Sequence, residues 1–317
     1  MDLQTIKAAR ERISPYIVQT PLIRMPNLDA WLGCQVYVKC ECMQNTGAFK
    51  LRGAMNKALS LSEEDLARGI VCASSGNHGR GIAYAAKTLG TKATVVMPYT
   101  APKVKVEAIK ALGAEVVQCE TSERFDVAER VRAESGATMV PPYNDEAVMT
   151  GQGTAGLEIM EQLPEVDAVV VPVSGGGLIG GVATAVKGVD SRVKVCGAEP
   201  ANLPRYSRSL EAGSPQKVEQ KPTIADALVS QMPGDKCFPY VRENVDVVAP
   251  VSDEYVLKGM KLLLCEGKIL AEPSSGIGMG AVLEGKLKFK STDKVCFLIS
   301  GGSVGLEQLA MLQDVTY

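Results

Sequence analysis

The sequence predicts an α/β protein of two lobes, each a parallel sheet covered by helices, with a ligand cleft between them. Three observations predict it. Short β-rich runs alternate with helical stretches from about residue 69 onward, the alternation breaks at Pro141-Pro142, and it then starts again. Several glycine- or serine-rich segments also follow a strand or open a helix, where open parallel sheets bind ligands at strand carboxyl ends.

In the first series, residues 69–73 read as a strand and 79–89 as a helix closed by Gly90. Residues 93–97 are the next strand, 104–112 a helix closed by Gly113, 115–117 a third strand and 126–135 a helix. In the second series, residues 147–162 are helical, the all-apolar 168–171 is a buried strand, 178–187 a helix and 192–197 a strand. Residues 200–240 are rich in Pro, Gly and Ser and read as a long irregular surface excursion. A helix at 254–266, a glycine-rich segment at 276–281 and a strand at 295–299 complete the chain.

The 317 residues are 46% hydrophobic and 22% charged with a formal net charge of -2, which fits a globular enzyme. No basic stripe points to a nucleic-acid partner, and no apolar run reaches the ~18 residues of a membrane span. Met1 to Arg12 is polar and lacks the apolar core of a secretory signal, so a cytoplasmic location is expected. The nine cysteines lack a Cys-x-x-Cys pair; Cys72, Cys196 and Cys296 sit in apolar runs and read as buried free thiols. Cys40 and Cys42, read as alternating on one strand, have no downstream partner pair for a metal. His78 is the only histidine, which excludes two-histidine metal sites and leaves proton transfer to other groups or to a cofactor.

Four segments carry chemistry. In Asn45-Thr46-Gly47-Ala48-Phe49-Lys50-Leu51-Arg52-Gly53-Ala54, a lysine after an aromatic at a helix start is suited to a Schiff base if its amine is desolvated; taken alone it reads as a solvated charge. Ser74-Ser75-Gly76-Asn77-His78-Gly79 lies between a strand and a helix, where N–H groups and hydroxyls attract anions, or where Ser and Asn simply cap the helix. Ser174-Gly175-Gly176-Gly177-Leu178 follows the strand ending Val171-Pro172-Val173 and lets backbone wrap a phosphate. It has neither the Lys-Ser/Thr of a P-loop nor the dinucleotide Gly-x-Gly-x-x-Gly register. Ser300-Gly301-Gly302-Ser303 caps the last apolar strand, as a ligand contact or a turn.

Together these segments resemble the fold-type II pyridoxal-phosphate enzymes, in particular the serine/threonine dehydratase and serine racemase group. Further matching stretches are Thr20-Pro21-Leu22, Gly151-Gln152-Gly153-Thr154, Ala198-Glu199-Pro200, Thr223-Ile224-Ala225-Asp226 and Glu272-Pro273-Ser274-Ser275-Gly276, so the likeness covers nearly the whole chain. It implies a tryptophan synthase β-like fold of two open twisted parallel-sheet domains. The large cofactor-binding domain would comprise 1-52 plus 148-317 and the small domain 53-147, without a C-terminal regulatory domain. It implies pyridoxal 5'-phosphate as cofactor, with Lys50 as the Schiff-base lysine after Phe49 and Asn77 on the cofactor's 3'-oxygen. Ser174, Gly175, Gly176, Gly177 and Leu178 would form the phosphate loop, and Ser300 would face the pyridine nitrogen. Ser74, Ser75, Asn77 and His78 would hold the substrate carboxylate, with Arg124 aligning loosely with a substrate-side arginine. Lys50 would remove the Cα proton, and Ser75 matches the racemase serine that protonates Cα from the opposite face. A neutral Ser300 disfavours transamination and leaves elimination and racemisation open.

The expected activity is ammonia-lyase chemistry on L-serine, L-threonine or a related 3-hydroxy amino acid. A racemase with side dehydratase activity and a β-replacement synthase are the alternatives. The small-molecule substrate would be the partner, in a homodimer or homotetramer. Several departures stand out, among them Ser303, where Ser300-Gly301-Gly302-Ser303 stands in place of the family's Ser-Gly-Gly-Asn. Of the racemase-type metal site only Glu199 remains, because Arg205 stands where an acid is wanted, so a divalent metal is not expected there. The usual Ala-Asp-Gly is Ala225-Asp226-Ala227, and Ala48 replaces the usual serine before Phe49.

Overall fold

The computed structural model of the chain describes residues 1–74, 76–101 and 103–317, with the backbone alone at Val104. Its strands are β1 (Leu22–Arg24), β2 (Gln35–Cys40), β3 (Ile70–Ala73), β4 (Ala93–Pro98) and β5 (Glu115–Cys119), then β6 (Thr138–Met139), β7 (Ala168–Pro172), β8 (Lys194–Pro200), β9 (Val247–Val251) and β10 (Lys294–Ile299). They form two sheets, β1-β2-β10-β7-β8-β9 and β5-β4-β3-β6. The four-stranded sheet is parallel throughout. The six-stranded sheet is parallel except at its edge, where β1 runs antiparallel to β2. The chain between Arg24 and Gln35 is too short for the crossover that a parallel neighbour needs, so this one edge pairs antiparallel.

Alternation along the central strands divides the large core. Val170 and Phe297 point to a layer with Val36, Val38, Ile277 and Leu263, while Val169, Val171, Cys296 and Leu298 point to one with Ile159, Ile179 and Val182. Helices cover both faces, which is why β7 is buried at every residue and reads as an unbroken apolar run.

Several expectations are corrected. The glycine-rich stretch 276–281, left without an element in the sequence, is the middle of the helix Pro273–Leu283. Its glycines serve close packing: a Cβ on Gly259 of the helix Asp253–Cys265 would stand 2.1 Å from the Gly276 carbonyl oxygen. The 200–240 excursion contains the helices Arg205–Ala212 and Phe238–Asn244. Cys42 lies in the turn Glu41–Met43, beyond the strand that carries Cys40. The polar N-terminus forms the helix Leu3–Ile13, which buries only Ile6, Ala9 and Ile13.

One sheet is built from residues 70–139 and the other from 22–40 and 168–299. The expected boundaries at 52/53 and 147/148, however, cut through the helices Lys50–Leu59 and Glu146–Gln162. Among the described residues no helix is long and apolar enough to cross a membrane.

Candidate active site

Lys50 opens the helix Lys50–Leu59, and the segment before it is zipped to the end of β10. Gly47 turns the chain at φ +74°, Ala48 forms an antiparallel bridge with Gly301, the Phe49 N–H donates to the Ser300 carbonyl at 3.0 Å, and the Gly302 N–H donates to the Gly47 carbonyl at 2.9 Å. This zipper sets Lys50 beside Ser300, although the two are far apart in sequence. The Lys50 Nζ donates to the Pro142 carbonyl at 2.6 Å and lies 5.0 Å from the centre of the Phe49 ring. Burial pulls the amine down to about 8, with Cys237 and Glu272 acting weakly the other way.

A second group stands where the helix Asn77–Leu89 begins. The Asn77 Nδ2 donates to both oxygens of Glu272 at 3.1 and 3.0 Å, and the Ser303 hydroxyl donates to the Asn77 Oδ1 at 2.6 Å. Glu272 is buried, and that burial pushes its carboxyl up to about 7 against the pull of the Asn77 hydrogen bond. The Ser300 hydroxyl lies 3.1 Å from that of Ser275, which also donates to the Gly301 carbonyl at 2.8 Å. No charged group touches the Ser300 hydroxyl among the described residues.

The third element is the loop from Ser174 into the helix Gly177–Val189. Gly176 adopts φ +100°, and a Cβ there would fall 1.8 Å from the Tyr206 Oη; a Cβ on Gly175 would fall 2.3 Å from the Tyr143 ring. The Gly175 carbonyl accepts from the Tyr206 hydroxyl at 3.0 Å and from the Gly234 N–H at 2.9 Å. With carbonyls turned into the protein, the loop presents bare backbone at a helix N-terminus, the setting that binds phosphate. Tyr143 joins this loop to Lys50: it follows Pro142, its ring packs on Gly175, and its hydroxyl lies 3.1 Å from that of Ser230, whose N–H donates to the Ser174 hydroxyl at 3.3 Å.

Residues 13–301 match the family model described as pyridoxal-phosphate dependent enzyme. The chain belongs to that family. It is 42% identical over 309 residues to an L-threonine ammonia-lyase of Thermotoga maritima, covering 97% of this chain and 77% of that protein. It is 39% identical over 311 residues to a serine racemase of Oryza sativa subsp. indica, covering 96% and 91% of the two chains. The solved structure of maize serine racemase superposes with a TM-score of 0.94 at 39% identity, over 98% of this chain and 96% of that one.

The residues present fit pyridoxal phosphate. The loop at 174–178 has the bare cradle a phosphate needs, and Lys50 offers a buried amine that loses its proton easily. Beside it, the buried Nδ1 of His78 has no hydrogen-bond partner.

The structure brings together Phe49, Lys50, Asn77 and Ser300, and connects Lys50 through Tyr143 to Ser174 and Gly175. Ser74 stands at the same helix start, its hydroxyl accepting from the Gly76 N–H at 3.3 Å. Ser75 lies outside the described residues. His78 is buried, and its Nε2 donates to the Val140 carbonyl at 2.8 Å. Burial, helped by the charge of Lys50, pushes its ring down to about 3, so His78 is neutral with its one N–H spent and is a poor holder of a carboxylate. Arg124 lies over the Phe125 ring and donates to the Thr121 carbonyl at 3.5 Å; among the described residues no hydrogen bond or ion pair joins it to the Lys50 group.

Sequence reasoning missed Pro142, Tyr143, Glu272 and Ser275, and named Ser303 without its partner Asn77. Pro142 was read only as a break in the alternation. The Glu272–Gly276 stretch was matched as a motif without a role, and the signal was there: a lone acid preceding a proline-started helix in an apolar stretch.

Proposed function

We propose that this chain is a pyridoxal-phosphate dependent ammonia-lyase acting on L-serine, L-threonine or a related 3-hydroxy amino acid, releasing a 2-oxo acid and ammonia. The observation that carries this reading is the buried Lys50 amine, drawn down to about 8, at the junction of the Ser300 strand end and the glycine loop. When bound, pyridoxal phosphate supplies the aldehyde that captures the substrate amine and a ring that delocalises charge from Cα. Lys50 is then the base: near neutral pH a useful fraction of its amine is uncharged and able to take the Cα proton. The backbone N–H groups of Gly175, Gly176, Gly177 and Leu178 hold the phosphate, with Ser174 and Phe49 completing the cofactor's surroundings. Asn77, at the start of the helix Asn77–Leu89, would meet the ring oxygen. Ser300 offers the ring nitrogen a neutral hydroxyl, which suits departure of the β-hydroxyl together with the Cα proton. Ser74, Asn77 and Ser75 receive the substrate carboxylate at the helix start; His78 and Arg124 are left out of this group. The 1-52 plus 148-317 and 53-147 division, a cytosolic location and a homodimer or homotetramer belong to the same reading, and light scattering tests the last.

Incubation with a panel of L- and D-3-hydroxy amino acids tests the activity. 2-Oxo acid should form from an L-substrate faster than its enantiomer does. Enantiomer formation as the faster process would replace this reading with racemisation, the second reading, favoured by the 39% identity to a serine racemase. Under that second reading Ser75→Ala lowers racemisation more than elimination, and equal losses would remove the role of Ser75 as opposite-face acid.

Glu272 gives a pH dependence of stability. Its folded-state pKa, about 7, is raised above the ordinary carboxyl value, so the stability it supplies is complete below about pH 4 and lost as pH rises through about 7. Glu272→Gln should flatten that fall, worth up to about 3 kcal/mol. Urea midpoints between roughly pH 4 and 8 check it; parallel curves for the two proteins would count against a buried neutral carboxyl.

A further inference from the structure

Beneath the glycine loop, four oxygen-bearing groups converge on one buried cation. Arg205, the first residue of the helix Arg205–Ala212, is fully buried. Its Nη2 donates to the Val173 carbonyl at 2.6 Å, its Nε to the Ser174 carbonyl at 3.0 Å and its Nη1 to the Leu203 carbonyl at 2.8 Å. The carboxylate of Glu199, also fully buried, lies 3.9 Å from Nε. Three backbone carbonyls and a carboxylate form the oxygen-only set that hard divalent cations take. In a dry interior such converging oxygens repel one another unless a cation lies among them.

An exchangeable ion does not fit. The guanidinium fills the space, and the Glu199 oxygens are already engaged: Oε2 accepts from the Tyr206 N–H at 2.9 Å, and Oε1 accepts from the Ser207 N–H and hydroxyl, each at 2.7 Å. Two of the carbonyls tied by Arg205, those of Val173 and Ser174, belong to the residues that lead into Gly175. The same helix supplies Tyr206, whose hydroxyl holds the Gly175 carbonyl. Successive carbonyls of the loop are thereby turned inward by adjacent residues of one helix.

We propose that Arg205 is a resident cation doing the work of a bound divalent ion, a positioning residue that aims the loop's N–H groups, so that cofactor retention in this chain is independent of divalent metals. The inference rests on reading 174–178 as the phosphate loop. Arg is suited to the task because its planar fork reaches several carbonyls at once and keeps its charge when buried; burial draws it down to about 10, still protonated at neutral pH.

The test uses holoenzyme and two readouts, melting temperature and the rate of cofactor loss followed by its fluorescence, in EDTA and with Mg²⁺, Ca²⁺ or Mn²⁺. Wild type should be indifferent to all of them. Arg205→Asp should lose cofactor at least about tenfold faster in EDTA, and a divalent ion should raise its melting temperature and slow the loss. Arg205→Lys, which keeps the charge but not the fork, guards against a misfolded Asp variant: it should lose cofactor at an intermediate rate without responding to metal. Wild-type holoenzyme that melts higher with a divalent ion overturns the inference while leaving the loop assignment intact, as does Arg205→Asp or Arg205→Lys retaining cofactor like wild type in EDTA. Wild-type protein that takes up no pyridoxal phosphate overturns the loop reading itself, and the inference with it.

Discussion

Replacing Lys50 with alanine is expected to abolish the visible absorption that the protein gains on incubation with pyridoxal phosphate, and to lower 2-oxo acid formation roughly 10³-fold or more. Under the proposed function two roles would be lost together, the covalent attachment point and the base at Cα. The fully buried Lys39 cannot take them over, because it is fixed to Glu158 at 2.6 Å, to the Thr20 carbonyl at 2.7 Å and to Gln162 at 2.8 Å. Lys50→Arg separates charge from basicity. It keeps a cation in the place of Nζ but cannot lose its proton near neutral pH, so it should be as inactive as the alanine variant. Lys50→Ala should fold, because the Lys50 amine makes one hydrogen bond, to Pro142, and its removal relieves a burial cost. Absorption spectra and urea midpoints of the two purified proteins check this directly. A band that survives in Lys50→Ala would move the attachment point to another residue.

Much of this site is legible in the sequence because its parts are local. A strand followed by glycines and a helix announces the loop at 174–178, and its helix start, Gly177, lies within one residue of the expected Leu178. Lys50 at a helix start and Asn77 at another are equally local signals. What the sequence does not carry is pairing across distance. The pairing of residues 47–49 with 300–302 joins two segments with no shared pattern, and it sets Ser300 beside Lys50. Arg205 is visible as a residue out of place for a metal site, yet its carbonyl partners at 173, 174 and 203 are backbone atoms that any sequence has. The glycines at 276–281 illustrate the opposite failure: small residues that permit two helices to touch carry, in one dimension, no helical signal. The same ambiguity hides the helix Leu3–Ile13, whose three buried residues are too few to announce a helix among eight polar or exposed ones.

Arg52→Met is expected to destabilise the fold by about 3–5 kcal/mol. Arg52 lies two residues after Lys50 and faces the opposite way, into a closed group of charges. Its Nε and Nη2 donate to Glu41 at 2.8 Å each, and its Nη1 and Nη2 donate to Glu158, again at 2.8 Å each. Lys39 completes the group through Glu158, and the Thr20 hydroxyl donates to Glu41 at 2.5 Å. All four of these charged side chains are fully buried, two cations against two anions, and the partly exposed Arg10 reaches Glu158 at 3.9 Å from the edge of the group. Burial alone would raise the Glu41 carboxyl, but Arg52 and then Lys39 hold it below its usual value. Its contribution is therefore present above the ordinary carboxyl range and is lost as pH falls through the lowered pKa. Removing Arg52 strands the Glu41 carboxylate in a dry interior with only the Thr20 hydroxyl beside it and the more distant charge of Lys39. The elements affected are the strand β2, the turn Glu41–Met43 and the helices Lys50–Leu59 and Glu146–Gln162, which together hold the Lys50 segment against the sheet. The double variant Arg52→Met with Glu41→Gln removes one charge of each sign and should recover part of the loss, because an unpaired buried charge costs more than a missing pair. Urea midpoints of wild type, the single variant and the double variant measure the difference. A double variant no more stable than Arg52→Met would assign the loss to packing around the guanidinium stem rather than to the stranded carboxylate.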